Sequence, residues 1–212
     1  MANHNGTMMR SDCYRLLAAC FYEPEKDVFL EEKVCDHLAD LLTAAAPSAV
    51  RAARKMAAAL QEIDQQTLSR DHATLFLGPF ELVAAPYGSV YLEEGRRVMG
   101  DSTMEVARWY RREGVAIAVG EPPDHIAIEL EFLSFLARNE ALAASGGLDA
   151  EAERCRQLQA RFLTTLLQPW VPAFCAAIRA GTANRFYRAL ADCLEEGIAA
   201  IGRLHGTPES AN

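Results

Sequence analysis

A chain of 212 residues with 21 Lys and Arg against 29 Asp and Glu carries a formal charge of −8, and half of it is hydrophobic. That balance supplies material for a sizeable core. It excludes a coat for nucleic-acid phosphates, which needs clustered positive charge, and it favours a basic partner.

The first nine residues are polar and are expected to be disordered, with one helical domain over 10–204 and a frayed end over 205–212. Residues 1–10 lack an apolar h-region, so no secretory signal is expected. No apolar run reaches the roughly 18 residues that span a bilayer, so the expectation is a cytoplasmic protein with no integral membrane segment. The six cysteines, Cys13, Cys20, Cys35, Cys155, Cys175 and Cys193, form no C-x-x-C pair and lie within apolar helical patterns. They read as small hydrophobes in a reducing compartment.

No glycine occurs between Gly6 and Gly78, and only Pro24 and Pro47 interrupt that stretch. Proline suits a first helical turn, so helices are predicted over 11–22, 25–45, 48–64 and 69–77. In the second, Val28, Leu30, Val34, Leu38, Leu41 and Leu42 recur at helical spacing. Residues 78–101 differ: Gly78, Pro79, Pro86, Gly88, Gly95 and Gly100 surround Tyr87 and Tyr91, the composition of a long loop with at most a short helical turn. Ser102-Thr-Met-Glu105 then has the pattern of a capping box, opening a helix through Glu113 that Gly114 closes. A short run, 115–119, could be extended; the segment 115–121 reads as a hinge.

Pro122-Pro123 introduces a helix over 124–144 that is apolar on most of its circumference, through Ile126, Ile128, Leu130, Phe132, Leu133, Phe135 and Leu136. Such a helix is central and buried. Helices over 150–167, 169–180 and 184–204 complete an all-α, bundle-like domain of nine or ten helices.

The sharpest local feature is Glu121-Pro-Pro-Asp-His125. The prolines fix φ and set the next residues at a helix start, whose free N–H groups favour nearby carboxylates. Glu121 and Asp124 suit caps there, and a good helix start alone is the plainer reading. His125 and Glu129 are four apart and share a face, which would make half a metal site; no second histidine pair at metal spacing exists, and the di-iron Glu-x-x-His signature is missing. Asp71-His72 reads as a polar stretch before Leu75-Phe76. The nucleophile elbow, the phosphate loop and the dinucleotide glycine motif are all absent. Arg108, Arg111 and Arg112 accompany Trp109 and Tyr110, which reads as a core aromatic with solvated arginines rather than a nucleotide platform. Trp170 with Phe174 is most simply core packing.

Five segments in order resemble the TorD-like family of cytoplasmic chaperones, the TorD, DmsD and NarJ relatives. They are Leu75-Phe-Leu-Gly-Pro79, Pro86-Tyr-Gly-Ser-Val-Tyr91, Trp109-Tyr-Arg-Arg-Glu-Gly114, Glu121-Pro-Pro-Asp-His125 with Glu129-Leu-Glu-Phe-Leu133, and Gln168-Pro-Trp170 with Phe174. The resemblance covers roughly residues 10–204. It implies a non-catalytic protein with no cofactor and no metal. Its partner would be the apo-form of a molybdopterin-dependent oxidoreductase, its twin-arginine leader, or both, held until the cofactor is inserted and export can proceed. It also implies leader recognition at Asp124 and His125, with Pro86, Tyr87, Tyr91 and Trp109 nearby. Some relatives form domain-swapped homodimers, and some bind GTP weakly, for which this chain has no recognisable motif. The chain departs from the pattern at Asp71-His-Ala-Thr74, where an aromatic is usual.

A twin-arginine leader joins consecutive arginines to an apolar stretch, so a receptor needs carboxylates beside an apolar groove. The candidate leader and client site is therefore Glu121, Pro123, Asp124, His125 and Glu129 at the helix start. Pro86, Tyr87, Tyr91 and Trp109 would wall a groove between it and the long loop. His125 would make binding depend on pH near neutrality. Two alternatives stand beside this: a helical metal-dependent hydrolase using Asp71, His72, His125 and Glu129, and a helical adaptor unrelated to export.

Overall fold

The computed structural model describes residues 2–78, 82–117 and 120–206, with side chains from Gly6 to Leu204. Eleven α-helices make up these residues, with no strand among them: α1 Ala2–Ala19, α2 Lys26–Glu31, α3 Val34–Ala45, α4 Val50–Glu62, α5 Gln65–Phe76, α6 Ser89–Leu92, α7 Asp101–Arg112, α8 Ile126–Ser145, α9 Asp149–Phe162, α10 Val171–Gly181 and α11 Arg185–Gly206. The all-α class agrees with the periodicity of the sequence.

The central helix is α8. It lies against α1 on one side and α9 on another, while α11 packs on α4 and α10, and α3 joins α1 to α4. Ile126, Ala127, Leu130, Leu133, Leu136, Ala137 and Ala141 of α8 are fully buried, as the apolar circumference requires. An aromatic layer of Phe21, Phe76, Phe174 and Tyr187, with ring centroids 5.7–6.1 Å apart, fills the space between α5, α10 and α11.

Boundaries differ from the periodicity in instructive places. The helix expected from Ser11 begins at Ala2, so the expectation of a disordered 1–9 does not describe this segment. Its polar residues conceal an inward face: Thr7 is buried and donates to Glu140, and Arg10 pairs with Glu140 at 2.7 Å. Tertiary partners satisfy groups that look solvated in the sequence. The single helix expected over 25–45 breaks at Lys33, whose φ of 49° is left-handed, between α2 and α3. The helix expected to run to Leu167 ends at Phe162 and continues as a π-helical turn over Leu163–Leu167. The capping box is shifted: Gly100 N–H donates to Thr103 Oγ1, and Ser102 donates to Glu93, while Glu105 turns to Arg108 and Trp109. Pro79, the end of the 115–119 run and residues 207–212 of the expected frayed terminus lie outside the described residues.

All six cysteines are free and buried. Burial pushes the Cys13 thiol up to about 12, which suppresses the reactive thiolate. No described helix is long and apolar enough to cross a membrane.

Candidate functional site

Two segments distant in sequence meet at the start of α8. The chain from Pro86 to Ser89 runs antiparallel to Asp124–Ile126 and is zipped to it by backbone hydrogen bonds. Gly88 N–H donates to the Asp124 carbonyl at 3.0 Å and Ile126 N–H to the Pro86 carbonyl at 2.8 Å, around a Tyr87–His125 bridge. The Asp124 carboxylate adds a third tie, accepting from Ser89 N–H at 2.7 Å. Tyr110 of α7 reaches in from below and donates to the Pro123 carbonyl at 2.9 Å.

This closure changes the expected geometry. Asp124 is 1% exposed and Glu129 likewise 1%, so neither carboxylate lies at an open mouth. The i, i+4 face shared by His125 and Glu129 turns inward because α8 is the central helix, and Pro86 is buried with it. Burial first, and the charge of Asp124 second, push the Glu129 carboxyl well above its usual range. The Trp170 indole faces the same carboxyl and partly counters that rise, without a hydrogen bond of ordinary geometry. Tyr91 is half-buried and stacks on Trp170 at 5.7 Å and 14°. A side chain at Gly88 would stand 2.9 Å from the Trp170 indole nitrogen, so glycine allows the loop to settle onto the ring. The groove expected between loop and helix start is thus filled by the loop itself.

Trp109 also departs from its expected place. Its indole donates to Glu105 and its ring packs edge-on against Phe162 at 5.6 Å, under the guanidinium of Arg161. It belongs to the α7–α9 contact. Tyr110, one residue on, is the aromatic that touches the turn. Arg108, Arg111 and Arg112 are exposed.

His125 caps α8 with its side chain, Nδ1 accepting from Ala127 N–H at 3.2 Å. Its ring lies parallel to Tyr22 at 6.1 Å and meets the edge of Tyr87 at 5.4 Å. Burial lowers its pKa to about 4, against smaller opposing effects of Glu121 and Asp124. The ring is neutral at physiological pH, which removes the expected switch near neutrality. Because the folded pKa lies below the ordinary 6.5, the unfolded chain takes the proton first. Stability contributed by the neutral ring is complete above about pH 6.5 and is lost as pH falls toward 4. Urea midpoints are expected to fall across that window, and the fall should shrink in His125→Asn.

What remains at the surface is Glu121, half-exposed, whose Oε2 accepts from Tyr87 OH at 2.8 Å. Glu131, exposed on α8, accepts from Tyr22 OH at 3.0 Å. Among the described residues neither carboxylate has a Lys or Arg partner within 4.0 Å. Beside Glu131 lies an apolar cleft of about 220 Å³ between Val115–Ile117 and the Ile128–Phe135 face of α8, with Tyr110 and Phe132 lining it and Glu131 at its edge. Tyr22, Tyr110 and Glu131 were not singled out from the sequence: Tyr110 and Glu131 fall inside two of the quoted segments, but nothing in those strings, or around Tyr22 in the turn after α1, says that the three approach one another.

The residues of the hydrolase alternative have other engagements: His72 is buried with its Nε2 3.3 Å from the Phe21 carbonyl oxygen, and Asp71 accepts from Asn184. Among the described residues no group of three or more His, Cys, Asp or Glu has metal-binding geometry.

The fold defines a known class. The structure is similar to a putative redox enzyme maturation protein from Archaeoglobus fulgidus, with a TM-score of 0.56 and 22% identity over 87% of this chain and 93% of that one. That likeness is one of fold. In sequence, the chain is 29% identical to the Tat proofreading chaperone DmsD of Salmonella typhi over 178 residues, 83% of this chain and 80% of the relative. It is 31% identical to the chaperone protein TorD of Photobacterium profundum over 137 residues, 63% of this chain and 62% of the relative. The nitrate reductase delta subunit family matches residues 29–176. The chain belongs to that family, which the resemblance to TorD, DmsD and NarJ anticipated.

Proposed function

We propose that this chain is a cytoplasmic chaperone for a molybdopterin-dependent oxidoreductase, binding its apo-form, its twin-arginine leader or both, aiding cofactor insertion and delaying export. The observation that carries the reading is the zipped turn at the start of α8, which holds Glu121 toward solvent on the Tyr87 hydroxyl. A carboxylate with no cationic partner among the described residues suits a guanidinium, since charge-assisted hydrogen bonds are the strong ones. Asp124 and His125 act in this reading as positioning residues, fixing the turn from inside. Membership of a family whose relatives are named chaperones supports a role in holding protein rather than in turnover.

The test is titration of a labelled twin-arginine leader peptide. Glu121→Gln is expected to weaken binding roughly threefold to tenfold, with most of the change lost at high salt. A parent chain that binds no such peptide, and that recovers no molybdenum oxidoreductase when captured from its native cell, would overturn the reading in favour of an adaptor of another kind.

A further inference from the structure

The α7–α8 cleft lies outside the zipped turn and takes no part in holding it, apart from Tyr110, which serves both. Its wall on α8 is a helical stripe, Ile128, Glu131, Phe132 and Phe135. Such i, i+3, i+4, i+7 spacing makes one continuous strip along a helix. Ile128 and Phe132 are buried within it, whereas Phe135 is 37% exposed although it stacks on Phe132 at 6.2 Å. Val115 and Ile117 form the facing wall and are half-buried. At about 220 Å³ the cleft is smaller than the roughly 300–1,000 Å³ of small-molecule sites and suits a few side chains of a peptide.

Charge selects among peptides. Glu131 stands at the edge with one oxygen on the Tyr22 hydroxyl, Glu121 adds negative charge nearby, and the whole chain is acidic at −8. We propose that this cleft docks a short apolar peptide segment whose flanking basic side chain pairs with Glu131. The proposal rests on the client-holding reading above and assigns where the apolar part of the client goes. In it, Phe135 and Ile117 close over the inserted side chains, and Glu131 sets the register by meeting the arginine or lysine next to them. A segment with acidic flanks is repelled.

The experiment uses the full chain and a fluorescein-labelled synthetic peptide, two consecutive arginines followed by a leucine- and alanine-rich stretch. Phe135→Asp is expected to weaken binding roughly tenfold or more, the scale of a lost anchor. Glu131→Gln should weaken it severalfold, but leave unchanged the affinity for a peptide whose arginines are replaced by glutamine. Phe135 and Glu131 are exposed enough for both variants to fold, which circular dichroism checks. If the parent binds the peptide and both variants bind it equally well, the cleft assignment falls while the chaperone reading stands. If the parent binds no peptide, the cleft assignment falls, and the chaperone reading is then decided by whether a molybdenum oxidoreductase is recovered with the chain from its native cell. If Phe135→Asp instead abolishes a dimer of the free chain and leaves peptide affinity intact, the cleft belongs to a second copy and the proposal is overturned.

Discussion

Asp124→Ala is expected to lower the unfolding free energy by about 2–3 kcal/mol in urea denaturation, the cost of leaving the buried Ser89 N–H without the charged acceptor it now has at 2.7 Å. Three hydrogen bonds join Pro86–Ser89 to Asp124–Ile126, and the carboxylate supplies the only one made by a side chain. Without it the loop loosens over Trp170, and Tyr87 no longer holds Glu121 in a fixed position. Peptide affinity should therefore fall together with stability. Asp124→Asn separates position from charge: it keeps an acceptor for Ser89 and should retain most of both. An Asn variant as stable as the parent that nonetheless fails to bind would mean that the charge itself meets the ligand, after the loop has opened.

Trp170→Ala should cost more, about 3–5 kcal/mol, the range for truncating a large aromatic in a core. Trp170 is fully buried and carries Tyr91 on one face, Phe174 at 5.4 Å, and the Gly88 backbone against its nitrogen. Removing it takes away the floor on which the loop rests, so both the urea midpoint and the near-ultraviolet dichroism of the aromatic layer should collapse. Trp170→Phe should recover part of the stability by refilling volume. Equal losses for Phe and Ala would indicate that the indole N–H beside Glu129 matters more than the ring.

Both variants act on a device that the sequence showed only in part. Pro86-Tyr-Gly-Ser-Val-Tyr91 and Glu121-Pro-Pro-Asp-His125 stood out because glycine and proline mark unusual backbone. Nothing in either string says that they pair with each other. The pairing decides that Asp124 is a buried tie and not a surface acid, and it lowers the His125 pKa by burial. Trp109 and Tyr110 present the same limit: adjacent aromatics on a helix differ by about 100° in direction, and only the placement of α9 decides which of them faces the turn.

The amino-acid sequence by itself determined the helical class, the position of the central helix, and the two segments that meet at its start. These are local matters, set by the 3.6-residue period, by caps and by residues of restricted φ. Tertiary structure alone decided which carboxylates meet water, because burial depends on neighbours brought by the fold, Tyr110 from the preceding helix and Tyr22 and Trp170 from far along the chain. It placed Glu129 inside and left Glu121 and Glu131 outside, Glu131 at the edge of an apolar cleft; packing imposes that sorting against the desolvation cost of Glu129, and no spacing of residues encodes it.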